Sequence, residues 1–306
     1  MSTKAQSIDY LALLVISLMW SSSFLFIKIA VETITPLSVV AGRLLLGALV
    51  LYIIMRIKGI KLPTDRKSWL FFLAIGVIGN VLPFSLISWA ELTVDSSVAS
   101  ILIGTAPLIS FVLGHFITSD EKLTLDRVVG VLIGFGGMIV LIGPEAIMQL
   151  GLNAVSQLAI IIGAGFYVGA NFIARGIPKM DPLARASGVL ITAAVIAVPL
   201  ALMFDQPWDL LPSARSLAAL VVLGLFPTAL AIILLFFLIM RIGATFVSLN
   251  NYLNPVLGVI WGVLFIGEVP STQVYIGLTL ILGGMIFTQL NLSKFVLRTE
   301  AADEEA

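Results

Sequence analysis

Ten stretches of predominantly apolar residues follow one another along this 306-residue chain, at 8–30, 37–57, 69–90, 95–118, 124–143, 153–175, 182–204, 216–240, 244–266 and 271–295. An α-helix needs about 20 apolar residues to cross the hydrocarbon core of a bilayer. Lipid offers no partners to free backbone amides and carbonyls, so spanning segments of this kind fold as helices. The connections are short and carry turn residues, such as Thr35-Pro36, Lys61-Leu62-Pro63-Thr64-Asp65, Gly143-Pro144-Glu145 and Asp205-Gln206-Pro207-Trp208. Only 11% of residues are charged, against about 25% in soluble domains. Too few charges exist to cover a body of this size with water, so the lipid bilayer is its expected surroundings. The first stretch is too long for a signal-peptide core and lacks a small-residue cleavage site, which predicts a retained first helix.

Lysines and arginines in the short loops orient the spans. With the N-terminus inside, fourteen fall on the inner side: Lys4, Arg56, Lys58, Lys61, Arg66, Lys67, Lys122, Arg127, Arg175, Lys179, Arg185, Arg241, Lys294 and Arg298. Lys28 and Arg215 alone fall outside, and Arg43 lies within a span. Both termini are therefore expected in the cytoplasm, with residues 296–306 as a solvated tail.

The chain also resembles itself. Ser100 and Pro107 fall on Ser248 and Pro255 at an offset of 148. Glu121, Gly130 and Gly136-Gly137-Met138 fall on Glu268, Gly277 and Gly283-Gly284-Met285 at an offset of 147. Two copies follow, 8–143 and 153–295, each with five spans. Because five is odd, the second copy starts on the opposite side of the membrane, which predicts inverted repeats. Secondary transporters use this architecture, with the substrate near the midplane between the copies. The expected fold is thus an all-α integral membrane bundle of ten transmembrane helices.

Polar residues inside apolar spans are costly and must face protein or water. The densest group is Ser248-Leu249-Asn250-Asn251-Tyr252-Leu253-Asn254-Pro255, where Asn250 and Asn254 share a helix face. Pro255 has no N–H and clashes with the Asn251 carbonyl, so an opened turn is expected there. The corresponding segment of the first copy holds Thr105 and Pro107. Pro107 and Pro255 form a matched pair of hinge candidates; Pro83 and Pro227 are further, unmatched ones. Asn80, the pair Tyr167 and Asn171, and Trp20, which aligns with Tyr167, complete the cavity candidates. Each has an alternative role as interhelical packing or hydrogen bonding. Arg43 snorkels, holds neighbouring carbonyls or meets a substrate carboxylate. Its counterpart in the second copy is Val189, so the cation is not duplicated.

The chain has no cysteine and one histidine, His115. Disulfides, thiolate chemistry and His-rich metal sites are thereby excluded or made poor, and no cofactor or metal is expected. Enzymatic motifs such as H-E-x-x-H are missing, as is the G-x-x-x-x-G-K-[ST] phosphate loop of an ATP-driven pump. A net charge of zero points away from nucleic acid. Glu91, Asp95, Glu121 and Glu268 lie near helix ends; protonation of one in a proton-coupled cycle stays open.

The duplicated five-helix pattern, the prolines in the fourth and ninth spans, and the glutamate and Gly-Gly-Met of each copy resemble the EamA branch of the drug/metabolite transporter superfamily. Within that branch the chain is most similar to YddG-type amino-acid exporters. The resemblance implies a multi-pass protein of the bacterial inner membrane; the oligomeric state stays open, and a monomer suffices for the architecture. It implies export of small neutral or zwitterionic metabolites, such as aromatic amino acids, methionine or threonine, by alternating access through a central cavity. A nucleotide-sugar or phosphate-type carrier and a passive channel are the alternatives.

Overall fold

A computed structural model of the chain describes residues 6–117, 125–142, 152–242, 247 and 249–289. All regular elements among these are helical. They are α1 (Ser7–Ala30), α2 (Pro36–Ile57), α3 (Arg66–Gly76), α4 (Leu82–Ala90), α5 (Ser96–Ile103), α6 (Ala106–Ile117) and α7 (Leu125–Ile142). Then come α8 (Leu152–Ala174), α9 (Pro182–Phe204), α10 (Ala214–Leu223), α11 (Ala231–Ile242), α12 (Asn250–Ile266) and α13 (Thr272–Gln289). A π-turn, Val77–Val81, joins α3 to α4, and a second, Gly224–Leu230, joins α10 to α11. Among the described residues seven helical stretches are long and apolar enough to cross a membrane, and three shorter ones are apolar. The chain is therefore a multi-pass membrane protein.

Local sequence explains where helices start and stop. Pro36 and Pro182 occupy first turns, where a missing N–H costs nothing. Asp65 accepts from the Ser68 N–H at 2.8 Å, and Ser213 from the Ser216 N–H at 3.1 Å, so both cap free donors. Gly267, at a φ of 70°, takes the left-handed conformation that ends α12.

The two π-turns begin at residues 77 and 224, the offset at which the sequence repeats. Widening a turn orphans a backbone carbonyl, and each is recovered in the same way. Asn80 Nδ2 donates to the Ile75 carbonyl at 3.3 Å, and Thr228 Oγ1 to the Leu223 carbonyl at 2.8 Å. Pro83 and Pro227 are unmatched as residues, yet the helix irregularities beside them correspond. Pro83 opens α4 immediately after one π-turn, and Pro227 lies inside the other.

At Pro107 the expected opening is present: α5 ends at Ile103, α6 begins at Ala106, and Thr105 donates back to the Leu102 carbonyl at 2.6 Å. Pro255 behaves differently. Helix α12 runs unbroken through it. There the ring is wedged against Gly104, where an added Cβ would come within 2.4 Å of Pro255 Cγ. Packing against α5 holds the helix together where the chain alone would loosen.

Close crossings organise the bundle. Helix α5 lies on α12 through Ser100 and Gly258, α2 packs on α9 in an apolar core around Leu44, Leu51 and Leu190, and α7 packs on α13 through glycines. Helix α1 lies between α12 and the single span formed by α10, its π-turn and α11, and α8 lies against α3, α4, α5 and α6.

Candidate functional site

About two turns into α2, one cation among the described residues is buried. Arg43 on α2 is 2% exposed. Its Nη2 and Nε lie 3.2 and 3.4 Å from Thr228 Oγ1 in the second π-turn. Its guanidinium carbon sits 3.8 Å from the centre of the Phe84 ring, a cation–π contact. Phe84 in turn meets Tyr167 edge-on, with ring centres 6.2 Å apart. Trp20 reaches the neighbouring residue of the same π-turn, donating Nε1–H to the Pro227 carbonyl at 3.1 Å. Arg43 therefore neither snorkels nor holds carbonyls, as part of the sequence expectation had it. Glycine at position 47, where a Cβ would strike Thr228 Cγ2 at 2.6 Å, lets α2 approach the π-turn closely enough for this contact.

A second polar face belongs to α12. Asn250 is buried and Asn254 half-buried, and the side-chain oxygen of each is buried with no partner among the described residues. They share one face, as the spacing predicted. Asn251 is half-buried and Asn171, on α8, is exposed. Tyr252 donates to the Met285 carbonyl at 3.3 Å and so ties α12 to α13. Asn80 and Thr105 use a donor on backbone carbonyls, as described above. Ser248 and Glu121 lie outside the described residues.

The Glu268 end of the bundle is closed by hydrogen bonds. Glu268 accepts from the Ser96 N–H at 2.6 Å, the Ser96 hydroxyl at 2.8 Å and the Ser97 N–H at 3.0 Å. A carboxylate on the free N–H groups of a helix start is favoured by their partial positive charge. Lys28 donates to the carbonyls of Glu91 at 2.6 Å and Val94 at 2.8 Å. Ser216 and Thr93 bridge to Ile29 and Ser156. Beyond the α5–α6 break the burial changes. Helix α5 buries six of its eight residues, whereas α6 buries only Leu108 and Gly114. Among the described residues these cross-helix hydrogen bonds gather at the Glu268 end, while most of α6 is half-buried.

Glu91 was not distinguished in the sequence from the other acids near helix ends. It is fully buried, and neither carboxyl oxygen has a hydrogen-bond partner among the described residues. Burial pushes its carboxyl well above the usual range, Lys28 and Arg43 pull it down, and Glu268 raises it further. The protonated form is therefore favoured by folding. Its stabilising contribution is complete at low pH and is lost as pH rises through the raised value. Glu91→Gln is expected to narrow the gap in unfolding temperature between pH 5 and pH 9 in detergent; an unchanged gap would contradict this account.

Similarity to known proteins fits this architecture. The chain matches the EamA-like transporter family over residues 7–143 and again over 155–290. It belongs to that family. An uncharacterized transporter of Bacillus subtilis (strain 168), YdfC, is 28% identical over 284 residues, covering 90% of this chain and 89% of its own. An uncharacterized inner membrane transporter of Escherichia coli (strain K12), YedA, is 25% identical over 284 residues, with 91% and 90% covered. A probable terminal-alkyne amino-acid exporter of Streptantibioticus cattleyicolor is 24% identical over 277 residues, with 90% and 91% covered. A solved crystal structure shares the fold, with a TM-score of 0.67 at 20% identity over 94% of this chain and 99% of its own. This EamA-family chain is a membrane transporter.

Proposed function

We propose that this EamA-family transporter exports small neutral or zwitterionic metabolites, amino acids foremost, by alternating access. The observation that carries this reading is the α12 face: two carboxamide oxygens, on Asn250 and Asn254, buried and without partners. Unfilled acceptors in a membrane interior are expensive, and an ammonium or amide N–H of a substrate would fill them. A relative of similar length named as an amino-acid exporter supports the same substrate class, as does the resemblance to YddG-type exporters. Trp20 and Tyr167 would contribute apolar walls; Asn80, Thr105, Asn171, Ser248, Asn251 and Tyr252 are the remaining cavity candidates.

The architecture behind this reading is ten spans in two inverted five-helix repeats, with both termini cytoplasmic. Matched π-turns, each closed by a side chain one turn ahead, support the repeat, and the lysine and arginine bias supports the orientation. In that orientation the Glu268 end faces outward, so the chain is closed to the outside and loosened toward the cytoplasm. Pro107, beside the α5–α6 break, is the hinge best placed to reverse this, with Pro83 and Pro227 beside the two π-turns and Pro255 at the α5–α12 crossing.

Uptake of labelled amino acids into proteoliposomes containing purified protein, with and without an imposed pH gradient, tests the proposal. Saturable flux for at least one neutral amino acid is expected. Asn250→Ala with Asn254→Ala should lower its apparent affinity about tenfold or more, the value of one or two hydrogen bonds to a charged group. No flux for any neutral amino acid would overturn the substrate class; unchanged flux in a folded double variant would overturn the α12 pocket.

A further inference from the structure

We infer that Arg43 is the anchor for a substrate carboxylate. The inference rests on the transporter reading above and adds a second, opposite recognition element to it.

A guanidinium carries five N–H donors in a planar fork and stays charged in proteins. Two of the three nitrogens of Arg43 converge on one hydroxyl, Thr228 Oγ1. Nη1 is buried and has no hydrogen-bond partner among the described residues. Among the described residues no carboxylate oxygen lies within 4.0 Å of the group. The group in direct contact with its charge is the face of Phe84, at 3.8 Å. Buried cations are retained when something pairs with them, and here Glu91, the acid whose charge reaches Arg43, makes no ion-pair contact with it.

Holding the π-turn does not explain the arginine. Thr228 already closes that turn by donating to the Leu223 carbonyl at 2.8 Å. The corresponding turn at Val77–Val81 is closed by Asn80 alone, at 3.3 Å, with no cation. One turn thus shows that the device works without arginine, and the other has an arginine with a donor to spare. A carboxylate fills that vacancy with two parallel N–H···O bonds.

The surroundings restrict the rest of the ligand. Phe84 lies under the guanidinium, Tyr167 meets Phe84 edge-on, and Trp20 is fixed to the residue before Thr228. Three aromatic rings and one cation suit a small monocarboxylate with an apolar or aromatic side chain. A phosphate monoester carries more charge than one arginine and one hydroxyl can balance.

Competition in proteoliposomes tests the assignment, using the amino acid with the largest saturable flux and its amide, its methyl ester and its decarboxylated amine. In the native protein the three analogues should compete at least tenfold more weakly than the acid. Arg43→Gln should weaken the acid at least tenfold while moving the amide and ester less than twofold, and Arg43→Lys should recover part of the loss. An ester or amide that competes as well as the acid, or an equal loss for acid and amide in Arg43→Gln, overturns the inference. If Arg43→Gln does not fold, the native competition series decides alone. If no amino acid is carried, the substrate class proposed above falls. Arg43 is then decided by thermal shift of the purified protein with phenylpropionate: stabilisation lost in Arg43→Lys or Arg43→Gln supports the anchor, and none in the native protein sinks it.

Discussion

Gly284→Val is expected to destabilise the bundle by about 3 kcal/mol or more, at or beyond the upper end of overpacking costs. A Cβ at this position would lie 2.5 Å from the Gly130 carbonyl oxygen, 2.6 Å from the Gly134 nitrogen and 2.9 Å from Gly134 Cα. All three are backbone atoms of α7, so no side-chain rotation relieves the clash; α13 must separate from α7. Small residues that let helices touch backbone to backbone are the main source of packing in lipid, where no hydrophobic difference drives helices together. The neighbouring Gly283 is the control, since a Cβ there meets nothing within 4 Å. Gly283→Val should leave the unfolding temperature in detergent within a few degrees of the native value. Equal effects of the two substitutions would refute the backbone-contact account.

Glu268→Ala should open the Glu268 end. Three donors of Ser96 and Ser97 converge on one carboxylate, and hydrogen bonds to charged groups contribute about 1.5–3 kcal/mol each. Gly262 makes the arrangement feasible, because a Cβ there would come within 2.1 Å of Glu268 Oε2. The chain has no native cysteine, so a single introduced one reports without background. Ile101 on α5 is fully buried. Labelling of Ile101→Cys by a membrane-impermeant maleimide should accelerate at least tenfold when Glu268→Ala is added, since tenfold corresponds to about 1.4 kcal/mol. Glu268→Gln keeps an acceptor oxygen and should fall between. An unchanged labelling rate would show that the closure does not depend on this carboxylate.

Much of the architecture was legible because apolar length and turn residues report it directly. The seventh predicted span, 182–204, coincides with α9 (Pro182–Phe204), where Pro182 and Asp181 mark the start unambiguously. The sixth, 153–175, differs from α8 (Leu152–Ala174) by one residue at each end. Pro107 was a hinge candidate, and the helix is interrupted just before it, between Ile103 and Ala106. Pro255 was expected to loosen α12 and does not, because the contact that holds it comes from Gly104, some 150 residues away in sequence. The π-turns were missed for a related reason. A π-turn leaves no compositional mark of its own, and the neighbouring prolines do not align. The signal that could have found them is the pair Asn80 and Thr228, which stand at the offset of 148 already shared by Pro107 and Pro255.

The site divides along the same line. Asn250 and Asn254 could be placed on one face from their spacing alone, and the structure leaves both oxygens buried without partners. Phe84 and Thr228 could not be singled out, since neither stands out in its own helix; their part lies in what they do to Arg43. Glu268 was visible only as a glutamate repeated near a helix end, and its use as the cap of α5 depends on a crossing between helices.

By itself the amino-acid sequence determined that this chain lives in a membrane as a bundle of helices, because apolar length and turn chemistry act locally and survive without tertiary contacts. Tertiary structure alone decided which polar groups are answered and which are left open. Whether Arg43 is paired, Glu91 is buried or Pro255 bends its helix depends on atoms contributed by other helices at distances under 4 Å, and no local pattern encodes those encounters.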